Sequence, residues 1–475
     1  MSLEGIWIAY NSLNFKYFLA HRAFSLSDWV FGGRARRPAG QVRTQIPLDR
    51  QPAGPPNDVY CPTLGPLLGT TALTGFDIPV SERQYDLVLY GASGFTGRQT
   101  VEYCQQFAPA GLSWAIAGRN RAKLDSVNLA GADVLLADAQ DDNALDSLAR
   151  QTRVIASTAG PFGLYGTKLV EACVRNRTHY CDITGETPWI RQQIDRHHAQ
   201  AAADGTRIVP GCGFDSIPSD FGAWLTFRHM HDVLHSECKS ISAYFRVGGG
   251  INGGTLASLF HMLETNQLAV SRDPFLLDPD PVAHTAEERG RNADPTGVRF
   301  DASLEKWVAP FLMGSINTRV VRRTQALLGI RFDYQEYSKY GSSRTARTVM
   351  IGGKVFESIA ASGFGRRILK RLLPKPGEGP SEKVMNEGFF ECELIASDKN
   401  GGRVRGVFKG QGDAGNRITV KCLCESAFLL ADLSHRKEGV KPFAGGGVLT
   451  PVTGLGEDLV ARLARAGITF DIVQP

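Results

Sequence analysis

Three glycines, Gly91, Gly94 and Gly97 in Gly91-Ala-Ser-Gly94-Phe-Thr-Gly97, have the spacing of a diphosphate cradle. They follow a short apolar run, Asp86–Tyr90, and precede a helical stretch from about Arg98 to Phe107. At such a strand-to-helix junction the first glycine permits a tight turn, the second lets the backbone approach the phosphates, and the third packs helix on sheet. The helix start adds N–H groups without partners and the positive end of the dipole. Ser93, Phe95 and Thr96 complete the loop, and its two hydroxyls are further donors. The ligand this pattern fits is a dinucleotide. About 20 residues further on, an acid would bind a ribose 2′-hydroxyl. Here Gly118-Arg119-Asn120-Arg121 offers Arg119, whose guanidinium fork suits a 2′-phosphate, so the expected cofactor is NADP(H). Arg121 reads as a solvated helix start. Asp138 ends a strand where an adenine ring would lie, or caps the next helix.

A cradle in this position requires a parallel sheet. Short apolar strands at Ser113–Ala117, Asp133–Leu136, Val154–Ser157, His179–Asp182 and Arg207–Pro210 follow the first, with helical stretches between them. The expected fold class is α/β, a Rossmann-type doubly wound parallel sheet with an inserted α+β substrate domain. Residues 1–84 are rich in Pro, Gly and Arg without sustained periodicity and read as a disordered or poorly packed extension. Residues 85–220 then form the NADP-binding domain, 221–440 the substrate domain, and 441–475 return to the first domain. Within 221–440, residues 268–306 read as a long polar loop or insertion. Phe390–Ala396, Arg403–Gly410 and Arg417–Leu423 read as antiparallel strands, and Leu423–Ser434 as a helix.

In such a sheet the nicotinamide lies beyond the carboxyl ends of the fourth to sixth strands. That gathers Ala159, Gly160 and Pro161, the run Asp182–Glu186, and Gly213–Ser216. Tyr165 is the leading hydrogen-bond or proton donor. Glu186, Asp215 and Ser216 are candidates to orient substrate or water, although Asp215 and Ser216 equally suit a turn before Pro218. Tyr165 and Lys168 are three apart, not the four of the short-chain dehydrogenase pair, so that mechanism is not carried over. Cys212 has no base beside it. His197 and His198 read as exposed positions in mid-helix.

From Tyr85 onward the chain resembles the saccharopine dehydrogenase-like oxidoreductases, and within them the bacterial trans-acting enoyl reductases. The likeness rests on the glycine motif, Ala159-Gly-Pro-Phe162 with Tyr165-Gly166, and Tyr180-Cys-Asp-Ile-Thr-Gly-Glu186. It continues through Gly213-Phe-Asp-Ser-Ile-Pro-Ser-Asp220, Gly253-Gly-Thr255, Ile316-Asn-Thr-Arg319, Lys375-Pro-Gly-Glu-Gly-Pro-Ser381 and Gly445-Gly-Gly-Val-Leu-Thr-Pro451. The resemblance implies NADPH-dependent reduction of a carbon–carbon double bond in a small-molecule or carrier-linked lipid or polyketide intermediate. A saccharopine-type amino-acid dehydrogenase and a non-catalytic lipid-surface protein retaining NADP(H) are the alternatives. The first 84 residues depart from the family pattern, and the segment after Gly329 looks shortened near Phe332–Tyr337.

Composition sets the remaining bounds. The 475 residues are 43% hydrophobic and 21% charged, which suits a globular chain of more than one domain. A formal charge of +5 without a basic stripe gives no footprint for nucleic acid. Nine scattered cysteines suit reduced thiols in a cytoplasmic protein, and the alternation of Cys422 and Cys424 along the expected strand argues against zinc, so no metal is expected. Val355–Leu373 mixes apolar residues with Arg366, Arg367, Lys370 and Arg371, and a second basic run lies at Arg319, Arg322 and Arg323. Such a segment suits peripheral contact with the inner face of the plasma membrane, or a helix packed on the core with a solvated charged side.

Overall fold

The computed structural model describes residues 82–128, 131–435 and 445–473. The expected extension 1–84 lies outside the described residues except at its end. There Arg83 is buried and donates to the Thr152 carbonyl at 2.8 Å and to Thr178 Oγ1 at 2.9 Å, so the packed body begins before Tyr85.

The first sheet consists of β1 (Tyr85–Tyr90), β2 (Trp114–Gly118), β3 (Asp133–Leu136), β4 (Thr152–Ser157), β5 (His179–Asp182) and β6 (Arg207–Val209). Their spatial order is 6-5-4-1-2-3, all parallel. β1 and β4 are buried on both faces, as a sheet covered by helices on each side requires. The order reverses between β1 and β4, and beyond the carboxyl ends at such a switch point sheets of this kind bind their ligands in a crevice.

The second sheet contains β7 (Cys238–Gly248), β8 (Arg299–Asp301), β9 (Lys306–Pro310), β10 (Asp333–Tyr340), β11 (Phe389–Asp398) and β12 (Arg403–Gln411). β7 and β10 pair in parallel, and the other pairings are antiparallel. The long strands alternate in exposure: Phe390, Cys392, Leu394 and Ala396 face a core closed by the helix Ile217–Arg228. Gly222 admits this close packing, because a β-carbon there would lie 2.9 Å from Leu394. The α/β class, a Rossmann-type sheet with a second α+β sheet, is thus observed.

The ends of the chain depart from the simple scheme. β13 (Gly447–Val448) adds to the parallel sheet beside β6, whereas β14 (Ile468–Val473) pairs antiparallel with β12 in the other sheet. The segment 441–475 therefore serves both sheets. The expected strand Arg417–Leu423 is instead a π-type turn at Ala414–Ile418 and the start of a helix, Thr419–His435. That helix packs on β1, β4 and β5, although the sequence range 221–440 places it with the substrate domain. Every residue from Cys422 to Ala431 is buried, so this helix is enclosed on all sides and shows no polar face to mark its period. Cys422 and Cys424 are both buried in it.

Two further expectations are corrected. The basic run Arg319, Arg322 and Arg323 is no surface patch. All three are buried in the helix Gly314–Leu328 and tie the segment 268–306 to the body. Arg319 bonds the Arg272 and Asp273 carbonyls and pairs with Asp294; Arg322 bonds the Pro274 and Tyr334 carbonyls; Arg323 bonds those of Leu277 and Val448. Burying guanidinium groups is tolerable only with such dense satisfaction. His197 and His198 are half-buried rather than exposed, and His198 Nδ1 accepts the Val448 N–H at 3.2 Å.

Candidate active site

The glycine loop sits at the switch point. Gly91, at φ +85°, follows β1 in the left-handed region, and a β-carbon on it would lie 2.9 Å from the Ala159 amide nitrogen. A β-carbon at Gly97 would overlap the Gly91 carbonyl oxygen, so the helix Phe95–Phe107 abuts the turn only because residue 97 is glycine. No side chain caps that helix and no acid stands in its first turn, which leaves its first N–H groups and dipole for an anion. Thr158 Oγ1 donates to the Gly91 carbonyl at 3.2 Å and joins the ends of β1 and β4. A dinucleotide diphosphate fits this cradle.

Arg119 is exposed at the end of β2 and makes no ion pair or hydrogen bond within the described residues. Asp138 is exposed beyond β3. It does not cap the helix Asp142–Arg150, a role taken by Asp141, but accepts the Gln140 N–H at 2.9 Å. Burial raises the pKa of the Tyr90 hydroxyl, the nearby Asp138 carboxylate raises it further, and the Arg119 guanidinium lowers it. Arg121 pairs with Asp125 on the surface at 2.9 Å, the solvated helix start expected of it. Phe95 points elsewhere than the diphosphate. Its ring packs on the turn Lys375–Gly379, where a β-carbon at Gly379 would lie 2.4 Å away. Arg98 Nη2 donates to the Gly377 carbonyl at 3.2 Å, so this turn straps the substrate half to the cradle.

Beyond β4 the chain passes through Ala159 and a cis Gly160–Pro161 bond into a short helix, Phe162–Tyr165. Glu186 is buried beneath it. One carboxylate oxygen accepts the Phe162 N–H at 2.8 Å and the other the Gly163 N–H at 2.9 Å. Each oxygen accepts one main-chain N–H, so Glu186 holds this turn in place. Ser216 is fully buried, its Oγ lies 3.0 Å from where a Gly211 β-carbon would stand, and that hydroxyl has no hydrogen-bond partner among the described residues. Asp182 is engaged by the Tyr180 hydroxyl and the Thr184 and Gly211 N–H groups, and burial lifts its pKa to about 7.

Asp215 is different. It is half-buried in the loop after β6 and has no hydrogen bond or ion pair within the described residues. Burial alone raises its pKa to about 6. Its Oδ2 lies 3.9 Å, and Ile316 Cδ1 3.0 Å, from where a Gly185 β-carbon would stand, so the loops after β5 and β6 meet the start of the helix Gly314–Leu328 here. Tyr165, half-buried at the end of its short helix, makes no side-chain hydrogen bond within the described residues. Lys168 is committed elsewhere, donating to the Gln140 carbonyl at 3.0 Å.

Sequence reasoning missed the wall opposite. Ser258 and His261, one turn apart on the helix Gly253–Glu264, both face the cis-proline turn. Ser258 Oγ lies 3.5 Å from the position of a Gly160 β-carbon and His261 Nε2 3.0 Å from that of a Gly163 β-carbon. The Gly253-Gly-Thr255 motif marks the start of this helix, but only the tertiary approach shows which of its side chains face the crevice. The arrangement can bind a dinucleotide diphosphate and can present a protonatable carboxyl, an imidazole and hydroxyls near a reacting group.

Comparison with known proteins places this geometry. Residues 87–209 match the saccharopine dehydrogenase NADP binding domain. A trans-acting enoyl reductase of Mycobacterium bovis is 32% identical over 427 residues, covering 82% of this chain and 98% of that protein. One from Mycobacterium leprae is 32% identical over 424 residues with the same coverage. A Mycobacterium tuberculosis protein whose name is also that of a trans-acting enoyl reductase is 35% identical over 421 residues, covering 82% of this chain and 97% of its own. Among solved structures, apo saccharopine dehydrogenase (L-Glu forming) from Saccharomyces cerevisiae aligns at TM-score 0.49 and 11% identity, covering 82% of this chain and 99% of that one. The cofactor is NADP(H), and the chain is an NAD(P)-dependent oxidoreductase that belongs to the saccharopine dehydrogenase-like family, together with the mycobacterial trans-acting enoyl reductases.

Proposed function

We propose that the chain reduces a carbon–carbon double bond conjugated to a thioester carbonyl, acting in trans on a lipid or polyketide intermediate made elsewhere. The observation that carries this reading is Asp215, a carboxyl without a partner among the described residues, beside Gly185 where the loops after β5 and β6 meet, in a chain whose relatives with that name match over nearly their full length. NADPH, when bound, supplies the hydride. The Gly91–Gly97 loop would hold its diphosphate and Arg119 its 2′-phosphate. What this chain must add is a donor for the oxygen on which negative charge grows and a proton for the α-carbon. Tyr165, Ser258 and His261 are donors on two sides of the cis-proline turn, and Glu186 fixes that turn. Asp215 stays protonated closer to neutral pH than an ordinary carboxylic acid, which suits it to deliver the proton directly or through water.

The competing amino- or imino-acid dehydrogenase reading asks for arginines free to bind a substrate carboxylate. The cluster one turn along from Ile316, at Arg319, Arg322 and Arg323, is already committed to main-chain carbonyls and Asp294. The test is oxidation of NADPH by the purified protein with a panel of enoyl thioesters, carried on coenzyme A and on a carrier protein. Turnover of at least one of them supports the proposal. Turnover only with an imino acid overturns it.

A further inference from the structure

We propose that the outer face of the two consecutive helices Ser343–Ala361 and Gly363–Leu372 is a docking surface for an anionic lipid bilayer.

The shorter helix carries two apolar stripes where packing requires one. Gly365 and Leu369, with Leu373 just beyond the helix end, recur every four residues and are buried. They meet Leu256 and Phe260 of the helix Gly253–Glu264 in a small separate core. Phe364, Ile368 and Leu372 form a second stripe about 100° around the helix, and they are 74%, 38% and 68% exposed. On the longer helix Ile351 is 56% exposed beside a shallow hollow of about 430 Å³ lined by Val355, Ile359, Ser358, Ser362 and the stem of Lys354. Single exposed apolar side chains are ordinary, but an exposed apolar stripe on one helix and an aliphatic hollow on the helix just before it mark an interaction surface.

Charge selects the occupant. The two helices hold Arg344, Arg347, Lys354, Arg366, Arg367, Lys370 and Arg371 against one acid, Glu357. Arg366 and Lys370 both pair with Glu264 of the neighbouring helix. Arg344, Arg347, Lys354, Arg367 and Arg371 make no ion pair within the described residues and are exposed. Exposed bulky apolar residues beside unpaired cations are the chemistry that inserts among acyl chains while neutralising phosphate headgroups. Another protein would need matched acidic groups as well as a pocket for each apolar side chain, whereas a bilayer supplies both without specific shape. No described helix is long and apolar enough to cross a membrane, so contact of this kind would be peripheral.

The surface also leads to the crevice. The buried stripe rests on the helix that carries Ser258 and His261, so a bilayer held at Phe364 lies on the far side of one helix from the cis-proline turn. Docking by itself does not depend on the enoyl reading, because it needs neither substrate nor turnover.

The experiment is co-sedimentation of the full-length protein with vesicles of phosphatidylcholine alone or mixed with phosphatidylglycerol, at low and high salt, with light scattering of the vesicle-free protein. The expected result is partition onto the anionic vesicles that weakens with salt. Arg367→Glu with Arg371→Glu, and separately Phe364→Ser with Leu372→Ser, should each reduce it by at least roughly tenfold. NADPH affinity in solution should be unchanged in both double variants, which shows that they fold. Three results would each overturn the proposal: failure of the wild type to bind anionic vesicles, binding that neither variant weakens, or a wild-type oligomer that the stripe variants break apart without vesicles. The last would assign the face to a second copy of the chain.

Discussion

The carboxylate of Glu186 spans two consecutive N–H groups, that of Phe162 at 2.8 Å and that of Gly163 at 2.9 Å, and so fixes the turn that follows β4. Hydrogen bonds from main-chain N–H to a buried charge contribute more than neutral ones. Glu186→Gln keeps one acceptor and turns an amide donor toward the other N–H. It should cost about 2 kcal/mol in urea unfolding, and NADPH oxidation should fall by at least about tenfold because the cis-proline turn is no longer held. Unchanged stability and rate would show that the turn is positioned by something else.

Gly97→Ala places a methyl group against the Gly91 carbonyl, a contact no rotamer relieves. The helix start must move away from the turn, and its N–H groups with it. NADPH affinity should fall by roughly 30-fold or more, read by fluorescence titration.

Arg119 is exposed and has no partner among the described residues, so its removal should leave stability within about 0.5 kcal/mol. Arg119→Ala should weaken NADPH by roughly 10- to 100-fold, the range for a charge-assisted bidentate contact, and leave NADH nearly unaffected. Equal losses for both nucleotides would place the 2′-phosphate elsewhere.

Asp215 gives a signed pH dependence. Burial raises its pKa to about 6, so the protonated form persists to higher pH than for an exposed aspartic acid. If it donates the proton, kcat falls as pH rises through about 6. Asp215→Asn should lower kcat by roughly 100-fold, change KM little, and flatten that limb of the profile. A variant that keeps the limb would move the donor role to Tyr165 or His261.

Stability should vary with pH through a different carboxyl. Asp220 is buried beneath the Thr324 hydroxyl and the Val452 N–H, and burial raises its pKa from the ordinary range near 4 to about 7. Between those values the folded state binds the extra proton, so its stabilising contribution is full at acidic pH and is lost as pH rises toward 7. Asp220→Asn keeps an acceptor for Val452. It should therefore lose less stability than the wild type between pH 5 and 8, by about 1–2 kcal/mol in urea unfolding.

The cradle was legible because its requirements are local: a strand, three glycines and a helix in one short stretch. The sequence also fixes no reason for Glu186 to be structural, since its two partners are main-chain amides more than 20 residues away. The same difficulty hid the arginines at 319, 322 and 323, which look like a surface stripe until the segment 268–306 folds over them. The segment Arg417–Leu423 misled for a different reason. A helix buried against a sheet on one side and helices on others has too few polar residues for its period to show in seven positions. Ser258 and His261 carry no signal of their own, because their role arises from glycines at 160 and 163 that let another helix come close.

The last strands have a consequence for how this molecule can be made. β13 zips onto the edge of one sheet, and some twenty residues later β14 closes the edge of the other. Until these two strands are added, β6 and β12 stand as the border strands of their sheets. Neither half is therefore a portable module. Clipping the tail at Gly456 should expose the flank of β12 and drive the shortened product to aggregate during expression.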